Sequence, residues 1–463
     1  MGVHLIDSAL FGDQFGTEAM RQVFDDAAVV RSWMRAEAAL ARAEATVGLI
    51  PREAARTISQ CVAETDWEPG ALADGIAATF HPLVPAIRLL AARCGAAGAY
   101  VHWGATTQDI MDTGLALQLR EAIGLLGADM RALRAAWAEV AARHRDTPMP
   151  GRTHGQHGPP ITFGFKVAVW ISELDRHLER LAACAPRLLM GQLAGATGTL
   201  ASFGPDGLEI QRRMMEDLGL GVPAICWHTA RDTLAEFVGL LGLLGATLGK
   251  VALEVIHLQA TEVAELEEPF AWGKVGSSTM PHKRNPMICE LIVALGRIVR
   301  QDAALALDTM VQEHERDMGA WQAEWEYVPR ACLLTASALA HSLRVARGLR
   351  VDPGRMRANI DLTGGLALSE VVMLELGRSV GRQEAHDVVY RICMRVIEHS
   401  GSFREDLLDD TLVRAHLTPA QVDALLDPER YLGVAPACVD RVLTPAAPDP
   451  MVVHLVTPGG PHP

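Results

Sequence analysis

The chain has 463 residues, of which 49% are hydrophobic and 21% charged, and its formal net charge is -14. This length exceeds what a single hydrophobic core usually organises, so we expect two or three domains. The acidic balance argues against nucleic acid as a partner, and it means that an anionic substrate needs a local cationic pocket.

The composition favours an all-α fold, because aromatic residues make up 5% of the chain and long alanine- and leucine-rich runs favour helices. The eight cysteines lack a C-x-x-C pair, which predicts reduced thiols in a cytoplasmic protein. The start lacks a signal-peptide pattern. The longest uncharged apolar stretch, residues 237–249, is shorter than the roughly 20 residues of a membrane span. We therefore expect a cytoplasmic location and no membrane partner.

The first hundred residues are predicted to form helices with short breaks. Apolar residues recur at helical spacing over residues 20–47, and this helix should end at Gly48, with Pro51 just beyond. His81 precedes Pro82, where another helix boundary is expected. Taken alone, His81 is interpreted as a surface or helix-capping histidine.

Residues 101–109 carry small and hydrogen-bonding side chains directly before a helical pattern that reaches Arg143. Thr106, Thr107 or Asp109 can cap this helix. A helix start also points free N–H groups and a positive dipole outward, so the same place suits a bound carboxylate. The two interpretations are compatible.

Residues 152–160 follow Pro148 and Pro150 and are predicted to form a loop that opens a helix. His154 and His157 stand in an H-x-x-H arrangement, which can indicate a metal site. No cysteine, aspartate or glutamate set adjoins them, so we do not expect a metal.

The glycine-rich residues 191–207 lack the G-x-x-x-x-G-K-S/T pattern and a preceding strand, so a tight turn between helices is expected rather than a phosphate loop. Residues 227–265 hold the clearest long helix, with apolar residues at alternating steps of three and four. Several glycines on or beside its apolar face would let neighbouring helices approach closely. We expect this helix to lie inside a multi-helix core shared between subunits.

Residues 276–286, GSSTMPHKRNP, have a composition that core packing does not explain. Pro281 and Pro286 restrict the backbone of this loop, and Gly276 widens its choice of conformation. Two hydroxyls, an imidazole, two cations and an amide form a plausible set for carboxylate binding and proton transfer. The plain alternative is a surface loop rich in turn residues.

This loop resembles the signature of the fumarase/aspartase superfamily, GSSxMPxKxNP, at every fixed position. The resemblance implies a three-domain, all-α fold without a cofactor. It also implies that a central bundle of long helices forms the core of a homotetramer, with each active site built from three subunits. Ser277 would transfer the proton, helped by the charge of Lys283, while Asn285 and Lys283 would bind a substrate carboxylate. The neighbouring Ser278 and Met280 would also contact the substrate.

Two earlier segments resemble the other conserved regions of the superfamily. GATTQD is similar to the GATSQD of one branch, with Thr107 in the place of the usual serine, and it implies that Thr106, Thr107 and Gln108 bind carboxylate. The THxQ core of the second region is matched by the residues Thr153, His154 and Gln156. His154 would be the general acid of an elimination, or an orienting donor, and the resemblance also makes His81 a candidate substrate contact.

After the signature loop we expect a helix to about Met310, followed by the charged, tryptophan-bearing residues 312–325. Such charges can simply form a solvated helix face, but two tryptophans four residues apart favour a partly buried surface. Arg316 is our candidate for a second cation facing a polycarboxylate. We expect an N-terminal helical domain over residues 1–110, a central helical bundle with the signature loop over 111–350, and a C-terminal helical domain over 351–463 with a loose tail.

Further stretches resemble the bacterial 3-carboxy-cis,cis-muconate cycloisomerases, which are lactonizing enzymes of aromatic catabolism. They include LFGDQFGTEAMRQVFDD near the start, QEHERDMGAWQAEW, and the late PERYLG. The implied reaction forms 4-carboxymuconolactone, with Ser277 moving a proton at the carbon next to a carboxylate. Two alternatives stay open: a β-eliminating lyase that releases fumarate or a similar diacid, as adenylosuccinate lyase does, and a helical scaffold without activity.

Overall fold

The computed structural model describes residues 4–65, 67, 70–271, 279–317, 319–399 and 401–444. Within these ranges the chain is mostly helical, which confirms the predicted all-α fold. Among the described residues, sheet is limited to two pairs of short antiparallel strands.

The helix predicted over residues 20–47 is divided into two in the structure, because the backbone at Asp25 is extended. The N-terminal region as a whole is built from helices. They are α1 (Gly12–Phe15), α2 (Glu18–Phe24), α3 (Asp26–Val47), α4 (Arg52–Glu64), α5 (Gly70–Thr79), α6 (Leu83–Arg93) and α7 (Thr107–Arg143). α3 ends at Gly48 as predicted, because Gly48 adopts the left-handed backbone, with φ 81°, that closes many helices. α7 begins after the cap residue Thr106 and reaches Arg143, also as predicted.

The central region contains the long helices. Its elements are β1 (Pro148–Thr153), β2 (Gln156–Thr162), α8 (Phe163–Leu188), α9 (Gly207–Leu218), α10 (Asp232–Gln259), β3 (Leu266–Glu267), α11 (Met287–Asp308), α12 (Gly319–Gly348) and β4 (Arg350–Val351). The long helix predicted over residues 227–265 is shorter at both ends. After Gln259 the chain turns, with Ala264 at φ 52°, so that Leu266 can pair with Val351 in the β3–β4 sheet.

The prediction of a loop over residues 152–160 is wrong, because the segment belongs to a β-hairpin. β1 and β2 pair antiparallel, and Thr153 faces Gln156 across a two-residue turn. The turn residues His154 and Gly155 both have positive φ, 53° and 74°. A tight hairpin of type I′ needs this backbone at both positions, since it matches the twist of the strands. The helix that the prediction placed next, α8, follows β2 directly.

The C-terminal region is made of shorter helices. They are α13 (Pro353–Asp361), α14 (Ser369–Val380), α15 (Arg382–His399), α16 (Phe403–Asp409), α17 (Thr411–His416), α18 (Pro419–Leu425) and α19 (Ala435–Leu443). α14 to α18 surround an apolar cluster of their own, whose members include Val372 and Phe403. α19 instead packs on α8. The domain boundaries at residues 110 and 350 stay a prediction.

α10 and α11 pack very closely, as the glycines of α10 predicted. A Cβ atom added to Gly296 of α11 would lie 2.3 Å from the carbonyl oxygen of Gly245 of α10, so neither position tolerates a side chain without a shift. Among the described helices, α10 has the length and hydropathy of a membrane span, and 44% of that window is buried inside the protein. Its buried side chains belong to the largest apolar cluster, together with those of α7, α8, α11 and α12.

Candidate active site

The start of α7 is fixed by a buried carboxylate. Asp109 lies in the first turn and is fully buried. Its Oδ2 accepts hydrogen bonds from the backbone N–H groups of Thr106 and Gly195, at 3.0 and 2.9 Å, and its Oδ1 accepts from that of Ala194 at 2.9 Å. This arrangement ties the loop at residues 194–195 to the helix start and leaves Thr106 and Thr107 partly exposed at its tip. Asp109 therefore has the capping role that the sequence allowed.

Arg316 lies against the same helix start. Its Nε donates to Gln108 Oε1 at 3.0 Å, and its Nη2 donates to the carbonyl oxygen of Ala196 at 3.0 Å. Gln108 is buried, and its Nε2 donates in turn to the carbonyl oxygen of His228 at 2.9 Å. The structure thus gives Gln108 the task of holding a guanidinium group beside Thr106 and Thr107. A helix start and a guanidinium group together can bind a carboxylate.

His81 joins this group from the other side. Its Nδ1 accepts a hydrogen bond from the N–H of Leu83 at 3.3 Å, which is the helix-capping role that the sequence allowed. Burial, and then the charges of Arg316 and His102, lower the pKa of His81 below its usual value. We call Thr106, Thr107, Gln108, Arg316 and His81 the α7 site.

Sequence reasoning missed a buried ion pair behind the α7 site. His102 Nδ1 lies 2.6 Å from Glu37 Oε1, and the Glu37 side chain is 1% exposed. Burial lowers the pKa of His102, but the Glu37 carboxylate outweighs burial, so the net shift is upward. The only available signals were a histidine within residues 101–109 and a glutamate on an otherwise alanine-rich face of α3. The charge of His102, one member of the pair, is among the causes that lower the pKa of His81.

The hairpin presents the second group of predicted residues. Thr153, His154 and Gln156 surround its turn and are all exposed in the protomer. The base of the hairpin is held firmly, because Arg152 Nη1 donates to Glu265 Oε2 at 3.0 Å. Glu265 is fully buried and also accepts from Asn359 Nδ2 at 2.8 Å. The His154 imidazole is therefore exposed at the turn of a hairpin whose base is held in place.

The signature loop is described from Thr279 onward, so the predicted residues Ser277 and Ser278 lie outside the described residues. Met280, Lys283 and Asn285 line a cleft of about 950 Å³, which Glu265 and Gln259 also line. Gln259 anchors the loop, since its Nε2 donates to the carbonyl oxygen of Arg284 at 3.0 Å. Its Oε1 accepts from the N–H of Glu268 at 2.9 Å.

Helix α11, which follows the loop, starts on a buried carboxylate. Glu268 Oε2 accepts hydrogen bonds from the N–H groups of Ile288 and Cys289, both at 3.0 Å. N–H groups in the first turn of a helix have no acceptor within the helix, and a carboxylate also suits the positive end of the helix dipole. Gln259 and Glu268 together fix where the loop leaves the cleft.

Within one chain the described residues of the three groups do not line one common cleft. The cleft of the signature loop is lined by Lys283 and Asn285 but by none of the residues of the α7 site or of the hairpin turn. Among the described residues, no group of three histidine, cysteine, aspartate or glutamate side chains could hold a metal ion. The arrangement offers carboxylate-binding cations at two places and an exposed imidazole at a third.

Known proteins resemble this chain over nearly its whole length. Residues 14–300 match the model of a family described as Lyase, and residues 365–442 match one described as Adenylosuccinate lyase C-terminus. The N-acetyl-S-(2-succino)cysteine lyase of Dickeya dadantii is 42% identical over 443 residues, which cover 96% of this chain and 98% of that protein. The 3-carboxy-cis,cis-muconate cycloisomerase of Pseudomonas aeruginosa is 42% identical over 438 residues, which cover 94% of this chain and 95% of that protein.

A solved structure agrees in fold as well. The 3-carboxy-cis,cis-muconate lactonizing enzyme from Pseudomonas putida matches with a TM-score of 0.88 at 40% identity, covering 94% of this chain and 98% of that one.

Proposed function

This chain is an enzyme of the Lyase family within the fumarase/aspartase superfamily, and we propose that it catalyses a β-elimination on a succinate-like polycarboxylate. The reaction would release fumarate or a similar diacid, and it would run in either direction. The observation that carries this choice is His154, an exposed imidazole held at the tip of a rigid hairpin.

In the proposed reaction, Ser277 takes the proton from the carbon next to a carboxylate. The electron pair left behind forms the new carbon–carbon double bond, and the bond from the neighbouring carbon to a nitrogen or sulfur atom breaks. The leaving atom keeps that bond's electron pair, and His154 gives it a proton. Lys283 and Asn285 stabilise the serine alkoxide and the negative charge that builds up on the carboxylate.

The α7 site is proposed to hold the second carboxylate. Arg316 offers a planar pair of N–H donors, which fit the two oxygens of a carboxylate. Thr106 and Thr107 add hydroxyl groups, and the free N–H groups of the α7 start add positive dipole. The relative from Dickeya dadantii has a name that describes cleavage of a succinyl thioether, which is a substrate of this class.

The second candidate is cycloisomerization of 3-carboxy-cis,cis-muconate to 4-carboxymuconolactone, as in aromatic catabolism. It is supported by 42% identity to the enzyme from Pseudomonas aeruginosa. In this reaction the oxygen that leaves on lactone opening becomes a carboxylate, which is stable at neutral pH without a proton donor. This reaction would therefore not need His154 as a proton donor, and for that reason we rank cycloisomerization second.

The test is a direct comparison of the purified enzyme on the two substrate classes. We expect fumarate release from a thioether of succinate with an uncharged thiol, followed by ultraviolet absorbance, at a rate well above that of muconate lactonization. His154→Ala should lower kcat on this thioether by about 100-fold or more, and His257→Ala, a change at the end of α10, should not. Fast lactonization that survives His154→Ala would instead establish the second candidate.

We further propose that four chains assemble and share each active site, with the hairpin turn, the α7 site and the signature loop coming from three different chains. Two observations support this arrangement: the hairpin turn is exposed, and none of the residues of the α7 site or of the hairpin turn lines the signature-loop cleft. Exposed leucines on the long helices, such as Leu243 and Leu307, offer apolar surface for partner chains. A cytoplasmic location is supported by all eight cysteines being free thiols.

A further inference from the structure

A pocket of about 220 Å³ opens beside the α7 site and has aromatic walls. Trp33, Trp321 and Trp325 line it, and Trp321 and Trp325 meet edge to face with their ring centroids 5.0 Å apart. Trp325 is 37% exposed, so its ring is open to solvent. We infer that this pocket binds the part of the substrate that carries no carboxylate, and that this part is an apolar or aromatic group without negative charge.

The pocket and the α7 site lie along the same helix. Met111 and Leu115 line it and follow Thr107 at intervals of four residues, so they lie on the same face of α7. At a rise of 1.5 Å per residue, Leu115 lies roughly 12 Å along the axis from Thr107. Pro82, which also lines the pocket, directly follows His81. A substrate whose carboxylate binds at the start of α7 can therefore reach the pocket with its other end.

Among the described residues, no lysine, arginine or histidine lines the pocket, so it offers an anionic occupant no counter-charge. Asp112 and Glu324 line it and share the buried guanidinium group of Arg231, which donates to Asp112 Oδ2 at 2.8 Å and to Glu324 Oε1 at 2.9 Å. Burial raises the pKa of Glu324 more than Arg231 lowers it. With Glu324 protonated the three groups are neutral in sum, and with Glu324 ionised they carry one negative charge. In neither state are they positive.

The α7 site and the pocket thus differ in the charge they accept. Arg316 and the start of α7 attract a carboxylate, whereas the pocket offers indole rings and two carboxylates that are already paired with Arg231. Indole rings bind apolar and aromatic groups well, and their faces also attract cations. A substrate would therefore place its carboxylates at the start of α7 and its neutral or cationic leaving group among the tryptophans.

This inference rests on the proposed function, because it assigns the leaving group of that reaction to the pocket. The substrate class is then a succinate-like diacid joined through nitrogen or sulfur to an apolar or aromatic group that is neutral or positively charged. A small acidic leaving group would fit the pocket poorly.

Binding of three probes that share one ring tests the pocket without any turnover. Benzylamine, benzyl alcohol and benzoate would be titrated into the whole enzyme, with the dissociation constants measured by ligand-observed NMR. We expect benzylamine and benzyl alcohol to bind in the pocket, and benzoate to bind only at the carboxylate sites outside it. Absence of binding by benzylamine and benzyl alcohol, or benzoate binding that Leu115→Trp weakens as much as it weakens benzylamine binding, would overturn the inference.

Substitutions in the pocket test whether the probes bind there. Leu115→Trp fills the pocket, so it should weaken benzylamine binding by about tenfold or more, and Trp325→Ala, which removes one wall, should also weaken it. The matched control is Leu362→Trp, at an exposed leucine outside the pocket, which should leave binding unchanged. Unaltered binding in both pocket variants would contradict the assignment. Since no probe is turned over, an enzyme that binds them as expected but eliminates no substrate would refute the proposed function and not the pocket.

Discussion

Arg316 is held by two hydrogen bonds, one to Gln108 and one to a backbone carbonyl, and both orient its guanidinium group at the start of α7. A charged hydrogen bond contributes about 1.5–3 kcal/mol, so Arg316→Gln should raise KM for a dicarboxylate by about 10- to 100-fold. Arg316→Lys keeps the charge but loses the planar pair of N–H donors, so its KM should lie between that of the native enzyme and that of Arg316→Gln. Steady-state kinetics measure this, with Arg404→Gln, whose ion pair with Asp423 is distant in sequence and exposed, as the control. An unchanged KM in Arg316→Gln would remove Arg316 from the site.

Glu44 lies fully buried on α3, and neither of its carboxylate oxygens has a hydrogen-bond partner among the described residues. Burial, and then the charge of Glu37, raises its pKa from 4.5 to about 9. The unfolded chain releases this proton near the lower value, so stability contributed by the protonated carboxyl is lost as pH rises toward about 9. The structure gives no reason for a carboxyl group at this place.

The Glu44→Gln variant should therefore gain stability over the native protein as pH rises. At about 1.4 kcal/mol per pH unit, the gain between about pH 6 and pH 8 is on the order of 3 kcal/mol. Urea unfolding at the two pH values measures it, and Glu53→Gln, at an exposed carboxylate of α4, serves as the control. An equal effect of Glu44→Gln at both pH values would show that Glu44 ionises normally.

At the scale of elements, the contact between α10 and α11 depends on two glycines that face each other. Gly296→Ala would bring a Cβ atom to 2.3 Å from the Gly245 carbonyl oxygen, so we expect a loss of about 1–3 kcal/mol from overpacking. Gly249→Ala is the matched control, because its new Cβ would have its nearest neighbour, Val293 Cα, at 3.9 Å. That change should be neutral or stabilise by up to about 1 kcal/mol. Thermal unfolding compares the two, and similar melting temperatures would contradict the close packing.

The helices were predictable because their signals are local. Gly48 ends α3, Thr106 caps α7, and the apolar spacing of α10 marks its buried face, all within a few residues of sequence. The hairpin was not predicted, because His154 at positive φ departs from the Asn-Gly and Asp-Gly turns that signal such hairpins. The C-terminal end of α10 was also missed, since it depends on pairing of β3 with a strand 84 residues further on.

The site was predictable only in part for a similar reason. The segments around Thr106, His154 and Lys283 each stand out as unusual local sequence. The contacts that hold them do not, because Glu37 meets His102 across 65 positions and Gln108 meets Arg316 across 208. A long-range pair leaves no periodic or motif signal in a single sequence, so it becomes visible only when the fold is known.

At the scale of the whole molecule, the proposal that three chains share each active site predicts that one chain alone is inactive. Four chains of 49.9 kDa should elute together at about 200 kDa in size-exclusion chromatography with light scattering. Mixing inactive Ser277→Ala and His154→Ala chains should then restore activity, because some sites take both intact residues from different chains. Random mixing predicts recovery of about a quarter of the native activity. No recovery in tetramers shown to be mixed would place both residues of each site on the same chain.

The central claim is that the Ser277 hydroxyl moves the proton at the carbon next to a bound carboxylate. The most direct measurement is the steady-state rate of Ser277→Ala on a substrate that the native enzyme converts. We predict that kcat falls by about 100-fold or more, in line with loss of a general base, while KM changes by less than about threefold because Lys283, Asn285 and Arg316 still bind the carboxylates. A Ser277→Ala enzyme that keeps a native kcat would contradict the account.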